Sequence, residues 1–404
     1  MAVDTVGSIP VAQRVAKFDY AIRNIVAEAH KVEQSGRPVH YLNIGDPVLF
    51  GFETPPHLVA AVERAMRDGH NGYTTGAGIM AAREAVANEY LARGIATSAD
   101  RVVLTSGTSE GIDLALSVIA DRGDEVLIPV PTYPFYTAAL AKLGVRAVYY
   151  PTDQSRGWEP DLEQLRDLVS PRTRALVVIN PNNPTGAVYA EETRAALVDI
   201  ADRGNFVLLS DEVYTDLVYA GPVPPIGAVA PDAPVISFSS ASKAFMAPGW
   251  RTGWMTVGNT ERLDGILGAI KELADGRLCT NGPMQHAISP ALTGDRSHQD
   301  LFRRQLQERA ELTSRRLNDI VGISCVPPAA AFYALPKVDL PPGRTDEEFV
   351  LGLLRKTGIL CVYGSGFGAD PADGFFRIVF LASLPELDSY CDAIEAFTAS
   401  FLAG

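Results

Sequence analysis

Five places in this 404-residue chain follow a short apolar run with residues that can do chemistry. "SGTSEG" follows "RVVLT" (101–105), "PTYP" follows "EVLIPV" (125–130), "NPNNPTG" follows "RALVVI" (174–179), "DEVY" follows "FVLLS" (206–210), and "SSASK" follows "PVISF" (234–238). Ser106, Gly107, Thr108 and Ser109 offer hydroxyls and backbone N–H groups where a helix opens. That suits a phosphate and equally suits a plain helix cap. Arg251 could bring a guanidinium fork to the same phosphate. Tyr133, ahead of Pro134, could lay its ring on a flat heterocycle or pack in the core. Asn183 lies in a stretch stiffened by Pro181 and Pro184. Asp211 closes a strand with no basic neighbour in sequence, where a carboxylate demands a cation or hydrogen bonds. A protonated ring nitrogen would serve, and Tyr214 follows three residues on. Lys243 stands alone among the hydroxyls of Ser239, Ser240 and Ser242, eight residues before Arg251.

A phosphate site, an aromatic face, a carboxylate for a ring nitrogen and a lone lysine together describe a site for pyridoxal 5′-phosphate, held by Lys243 as an imine. Two rival motifs fail. "GAGIMA" (76–81) resembles half a dinucleotide fingerprint, but no apolar strand precedes it. The six histidines show no ligand spacing, so no metal is expected.

These residues need a scaffold that brings strand tips together. Two further runs, "RAVYY" (146–150) and "WMTV" (254–257), bring the strand count to seven, and helical patterns such as "EGIDLALSVIA" and "AEETRAALVDIADRG" fall between them. Such alternation predicts an α/β fold: a mostly parallel seven-stranded sheet with helices on both faces. Ligands of such sheets bind beyond the carboxyl ends of the strands, where all five motifs fall. After about residue 281 the pattern changes to a long charged helix (297–319), two apolar runs "AFYALP" and "FRIVFL", and a final helix after "SLPELDSY". This predicts a smaller α+β domain at 286–404, a large cofactor domain at 46–285, and an N-terminal arm and helix at 1–45 packing with the small domain.

Composition narrows the function class. A net charge of −13 argues against a nucleic-acid surface. Four cysteines without a CxxC pair suit a reducing compartment. "MAVDTVGSIP" lacks the look of a signal peptide, and no apolar run is long enough to span a membrane, so a cytoplasmic enzyme is expected.

At "NPNNPTG", "DEVY" and "SSASK…GWRTGW" the chain resembles the class I/II aminotransferases of pyridoxal phosphate fold type I, over nearly its whole length. Within them it resembles the bacterial alanine aminotransferase-like group through "LNIGDPVLFGF", "INPNNPTGAVY", "RLCTNGPMQHAI" and "FRIVFL". The resemblance implies that Lys243 forms the internal aldimine and shuttles a proton between Cα and the cofactor. Asp211 would hold the pyridinium. Tyr214 and Asn183 would bind the ring's phenolic oxygen, and Tyr133 would stack on the ring. Ser106, Gly107, Thr108, Ser240, Ser242 and Arg251 would surround the phosphate. Tyr73, in "GYTTG", would reach the phosphate of a neighbouring subunit in a homodimer. Arg377 would clamp the substrate's α-carboxylate, helped by backbone at Gly45. The family commonly has a glycine near Ala330 or Ala331, where this chain reads "PPAAAFY".

The expected activity is transfer of an amino group between a small L-amino acid, alanine first, and a 2-oxo acid such as 2-oxoglutarate. The alternative on the same scaffold is a lyase, such as a β-C–S lyase or a cyclopropane-forming synthase. A transcription regulator would need a basic helix-turn-helix before the fold, and only about forty residues precede "LNIGDP". Arg277, in "RLCTNG", could bind a second substrate carboxylate or be structural.

Overall fold

The computed structural model describes residues 21–403, with Ile9, Ala12 and Arg14; the expected arm, most of the "MAVDTVGSIP" segment and positions 15–20 of the expected first helix lie outside the described residues. Chain order begins with α1 (Ala21–Gln34), β1 (His40–Tyr41), α2 (Pro56–Arg67) and α3 (Met80–Ala92). The central sheet then forms from β2 (Val102–Thr105), β3 (Glu125–Val130), β4 (Arg146–Asp153), β5 (Glu159–Pro160), β6 (Thr173–Ile179), β7 (Val207–Asp211), β8 (Val235–Ser240) and β9 (Gly253–Val257). Their order across the sheet is β2-β9-β8-β7-β6-β3-β4-β5. β8, β7, β6, β3 and β4 run parallel, while β9 is antiparallel to both of its neighbours.

The sheet has eight strands rather than seven. The extra one, β5, has two residues, one of them Pro160, and pairs antiparallel with the end of β4. A two-residue edge strand carries no readable alternation, and proline is tolerated there because an edge leaves N–H groups unpaired.

Strand residues alternate between two cores, as a pleated sheet requires. Along β6, Ala175, Val177 and Ile179 face α4 (Thr108–Ile119), α5 (Pro134–Leu143) and α8 (Asp264–Gly276), meeting Ile112, Leu140 and Ile270. Leu176 and Val178 face α6 (Leu162–Leu168) and α7 (Glu191–Gly204), meeting Leu165 and Leu197. With both faces covered, β7 and β9 are buried at every position.

The register sets the strand tips level. Gly253, first in β9, pairs with Thr105, last in β2, and with Ser240, last in β8. Asp211, last in β7, pairs with Ile179, last in β6, and with Phe238.

After α9 (Gly282–Gln285), α10 (Ile288–Thr293) and α11 (Ser297–Asp319) come β10 (Ile323–Ser324), β11 (Tyr333–Ala334), β12 (Lys337–Val338), α12 (Asp346–Thr357), β13 (Ile359–Leu360), β14 (Val362–Tyr363), β15 (Phe376–Val379) and α13 (Leu384–Leu402). β11, β15 and β14 form an antiparallel sheet in that order. β1 pairs in parallel with β13, and Ile25, Ala29 and Val32 of α1 join the core that contains Phe349 and Phe397. Thus the first described elements close onto the last ones. Among the described residues no helix is long and apolar enough to cross a membrane.

Gly253 is required by a close approach. A Cβ there would stand 2.7 Å from the carbonyl carbon of Gly107 and 2.9 Å from the Thr108 nitrogen, both backbone atoms. Gly253→Ala should therefore push the turn at Gly107 away from β9 and lower stability by about 1–3 kcal/mol. Gly268→Ala, within α8 and with open space around its Cβ, should be neutral or stabilising. Thermal unfolding of the two variants beside the parent checks this.

Candidate active site

Beyond the strand tips lies a cavity of about 630 Å³. Tyr133 and Asn183 line it from the loops after β3 and β6, and Asp211 and Tyr214 from the end of β7. Ser240, Ser242 and Lys243 contribute the tip of β8, and Arg251 the approach to β9. Thr108 and Ser109 contribute the opening of α4, Gly45 the loop after β1, and Arg377 the strand β15. Three expected residues are not part of the lining. Ser106 and Gly107 pack against the Arg251 guanidinium, and Tyr73 is 83 % exposed.

Each placement has a local cause. Gly107 takes φ +76°, where a side chain is strained, and a Cβ there would run into the Arg251 guanidinium. That packing lets Arg251 donate to the carbonyl of Ser106 at 3.3 Å, just beside the first free N–H groups of α4. The Thr108 hydroxyl is buried there without a partner. The Ser106 hydroxyl instead pairs with that of Thr280 at 3.1 Å.

Asp211 is 5 % exposed. Its Oδ2 accepts from the Tyr136 hydroxyl at 3.2 Å and its Oδ1 from the Val213 N–H at 3.4 Å. Burial dominates over these weak donors and pushes the carboxyl up to about 6. Next to it, Glu212 points the other way, toward Ser210, Ser237 and Tyr90, and burial raises it too. Lys243 donates from Nζ to the Gly45 carbonyl at 2.6 Å. Arg377 is 2 % exposed. It donates to Asn183 Oδ1 at 3.0 Å and to the Asn43 carbonyl at 2.5 Å, and its guanidinium stands 4.7 Å from the ring centroids of both Tyr333 and Phe367.

Tyr136 and Tyr333 were not singled out in the sequence. Tyr136 lies one turn into α5, three residues after Tyr133, so the start of that helix at Pro134 was a usable signal. Tyr333 sits in "AFYALP", which reads as an apolar strand, yet its hydroxyl meets that of Tyr214 at 2.9 Å. Nothing in the sequence ties these two positions together. Arg277 is paired within its own chain, Nε standing 2.8 Å from Glu110 Oε1 and Nη2 donating to the Leu104 carbonyl at 2.7 Å. Among the described residues no cluster of histidine, cysteine or acidic side chains could hold a metal.

Residues 37–394 match the family described as aminotransferase class I and II. The chain belongs to that family. It is 36 % identical over 400 residues to the glutamate-pyruvate aminotransferase AlaA of Haemophilus influenzae, covering 97 % of this chain and 98 % of that one. It is 39 % identical to the alanine aminotransferase of Mycobacterium tuberculosis, covering 95 % and 91 %. The solved alanine aminotransferase of Pyrococcus furiosus superposes with a TM-score of 0.94 at 37 % identity, covering 97 % of this chain and 100 % of that one. The protein is an aminotransferase of fold type I that works with pyridoxal 5′-phosphate.

The raised Asp211 gives a pH signature in the cofactor-free protein. Folded-state protonation stabilises most below the ordinary carboxylate range, and that contribution disappears as pH rises through about 6. Asp211→Asn should therefore make the cofactor-free protein more stable at pH 8, by on the order of 3 kcal/mol at most. The difference should shrink from pH 6 to pH 4. Unfolding of parent and variant across that range measures it, and a constant difference would assign the effect to something other than ionisation.

Proposed function

We propose that the protein transfers an amino group between alanine and 2-oxoglutarate, giving pyruvate and glutamate, with Lys243, Asp211 and Tyr214 as its catalytic residues. The observation that carries this reading is a single cavity lined by the Lys243 amine, the Asp211 carboxylate and the buried Arg377 guanidinium. The names of the alanine and glutamate-pyruvate aminotransferases among its relatives support the choice of substrates.

The residues present fit the cofactor. The unpartnered Thr108 hydroxyl, the opening of α4 and Arg251 suit a phosphate, with Ser240 and Ser242 beside them and Ser106 and Gly107 fixing the turn. The under-compensated Asp211 carboxylate suits a cationic ring nitrogen. Asn183 and Tyr214 reach the same wall for the ring's phenolic oxygen, and Tyr133 offers a face. When bound, the cofactor supplies a conjugated ring that accepts the electron pair left at the substrate's Cα.

The chain's own residues do the rest. Lys243 would hold the cofactor through its Nζ, and the same amine would take the proton from the substrate's Cα. Asp211 would hold a proton on the cofactor's ring nitrogen, because a cation beside a buried carboxylate favours the charged pair. Arg377 takes the α-carboxylate in a two-point contact, with backbone at Gly45 nearby, and so fixes which bond to Cα stands ready to break. The rings of Tyr333 and Phe367 hold the guanidinium in place.

In this reading residues 46–285 hold the cofactor, the part after residue 285 forms the smaller domain that carries Arg377, and the described elements before residue 46, α1 and β1, pack with the latter. The protein works as a cytoplasmic homodimer. Four free cysteines support a reducing compartment. Exposed Tyr73 supports the dimer, together with exposed Leu278, whose neighbour Cys279 accepts from the Thr74 N–H. Tyr73 then reaches the neighbouring subunit's cofactor.

Arg377→Lys should raise KM for alanine, glutamate and 2-oxoglutarate alike, roughly tenfold or more, because the two-point contact is the one they share. Steady-state rates with these substrates and with a simple alkylamine decide it. Equal loss toward the alkylamine would make Arg377 structural, and steady pyruvate release from an S-substituted cysteine without an acceptor, its thiol leaving from Cβ, would favour a β-C–S lyase.

Mixing inactive Lys243→Ala chains with inactive Tyr73→Ala chains should form hybrids in which one of the two sites has both intact residues. Activity should then return. If subunit exchange is demonstrated and no activity appears, the shared site is wrong.

A further inference from the structure

The loop that opens α4 is held from behind by a pair of charges that do not line the cavity. Glu110, in the first turn of the helix, accepts the Ser106 N–H on Oε2 at 2.6 Å. Its Oε1 lies 2.8 Å from Arg277 Nε, an ion pair rather than an aligned hydrogen bond. Arg277 Nη2 donates to the Leu104 carbonyl at 2.7 Å. The pair thus grips the backbone on both sides of Thr105, where β2 turns into the helix. Both side chains are largely screened from solvent, at 23 % and 19 % exposure, which strengthens charge-assisted contacts.

The arrangement has a sign problem that Arg277 solves. A carboxylate at the opening of α4 competes with any anion for the positive end of the helix and repels it. With Arg277 against it, Glu110 keeps its grip on Ser106 while its charge is offset. We propose that Arg277 and Glu110 are positioning residues that shape the phosphate cradle, Glu110 by fixing the turn and Arg277 by neutralising Glu110. This rests on the reading of Thr108 and its neighbours as the phosphate site. It also assigns Arg277 a task other than contact with a second substrate carboxylate.

The test is the dissociation constant of pyridoxal 5′-phosphate, titrated into cofactor-free protein and followed by absorbance. Arg277→Gln leaves Glu110 charged and unpaired, so it should weaken cofactor binding most, on the order of tenfold. Glu110→Gln should weaken it less. The double variant should bind better than Arg277→Gln alone, since the repelling charge has gone. Arg277→Lys keeps the charge and should recover most of the affinity, and it serves if the glutamine variant folds poorly. At saturating cofactor, kcat/KM should fall in parallel for alanine and for 2-oxoglutarate.

Unchanged cofactor affinity in the Arg277 and Glu110 variants overturns the proposal. So does a rise in KM confined to glutamate and 2-oxoglutarate, which would mean that the buried, unpartnered Nη1 of Arg277 reads the second carboxylate. Thr108→Val separates this from failure of the underlying site. If it alone leaves cofactor affinity unchanged, the phosphate lies elsewhere. If it weakens binding while the Arg277 and Glu110 variants do not, the site stands and the positioning role falls.

Discussion

Everything in the cavity is arranged around one uncomfortable carboxylate. Asp211 ends a central strand with neighbours on both sides, so it cannot turn to solvent. Its two donors are a long hydroxyl contact and a longer amide contact, too little to hold full charge in a buried site. The nearest acid, Glu212, has more donors, with two serine hydroxyls and Tyr90 turned toward it, although burial raises it as well. Two adjacent carboxyl groups at the end of β7 therefore have different surroundings. Glu212 is met by three hydroxyls, while Asp211 has two long contacts and the Lys243 amine in the same cavity.

That polarity only matters because the surrounding backbone is stiff and closely fitted. The left-handed turn at Gly107, the bare α-carbon of Gly253 and the Arg251 guanidinium fit against one another with no room for an added carbon. A Cβ at Gly45 would meet the Tyr333 hydroxyl and the Phe332 ring in the same way. Close backbone packing therefore lies beside the cavity at Gly107 and Gly253 and in its lining at Gly45. Side chains can then be aimed with little freedom, which is what separating two acids or presenting a guanidinium to a carboxylate requires.

The sequence made the sheet legible because both of its faces are covered. Runs such as "RALVVI" and "FVLLS" are apolar throughout, and each is closed by a polar motif at the end that faces the ligand. What it hid was short or non-local. β5 has too few residues to show a period. α12 was missed between two apolar runs, although "TDEE" is a capping box whose Thr345 and Glu348 do cap each other. Two tyrosines, Tyr136 beside Asp211 and Tyr333 beside Tyr214, carried no motif of their own. Tyr333 reaches Tyr214 across 119 positions of chain. Ser106 and Gly107 are outside the cavity lining, in the turn that packs against Arg251.

The departure at "PPAAAFY" shows how a local conformation can outlast the residue that fits it most easily. Ala331 adopts φ +60°, the left-handed region that disfavours a Cβ by roughly 1–2 kcal/mol. The contacts around it hold it there. Its N–H donates to the Leu217 carbonyl at 3.1 Å, its own carbonyl accepts from the Tyr219 hydroxyl at 2.7 Å, and Ala330 bridges to Val218. All three anchors lie just after Asp211 and Tyr214, so the strand that carries Phe332 and Tyr333 is tied to the chain that carries the buried acid. Tyr333 then touches Tyr214 through its hydroxyl and Arg377 through its ring. One strained alanine thus sits at the joint where a single tyrosine touches both Tyr214 and Arg377. A methyl group in place of hydrogen removes conformational freedom from that joint, since glycine has more alternatives to lose on folding.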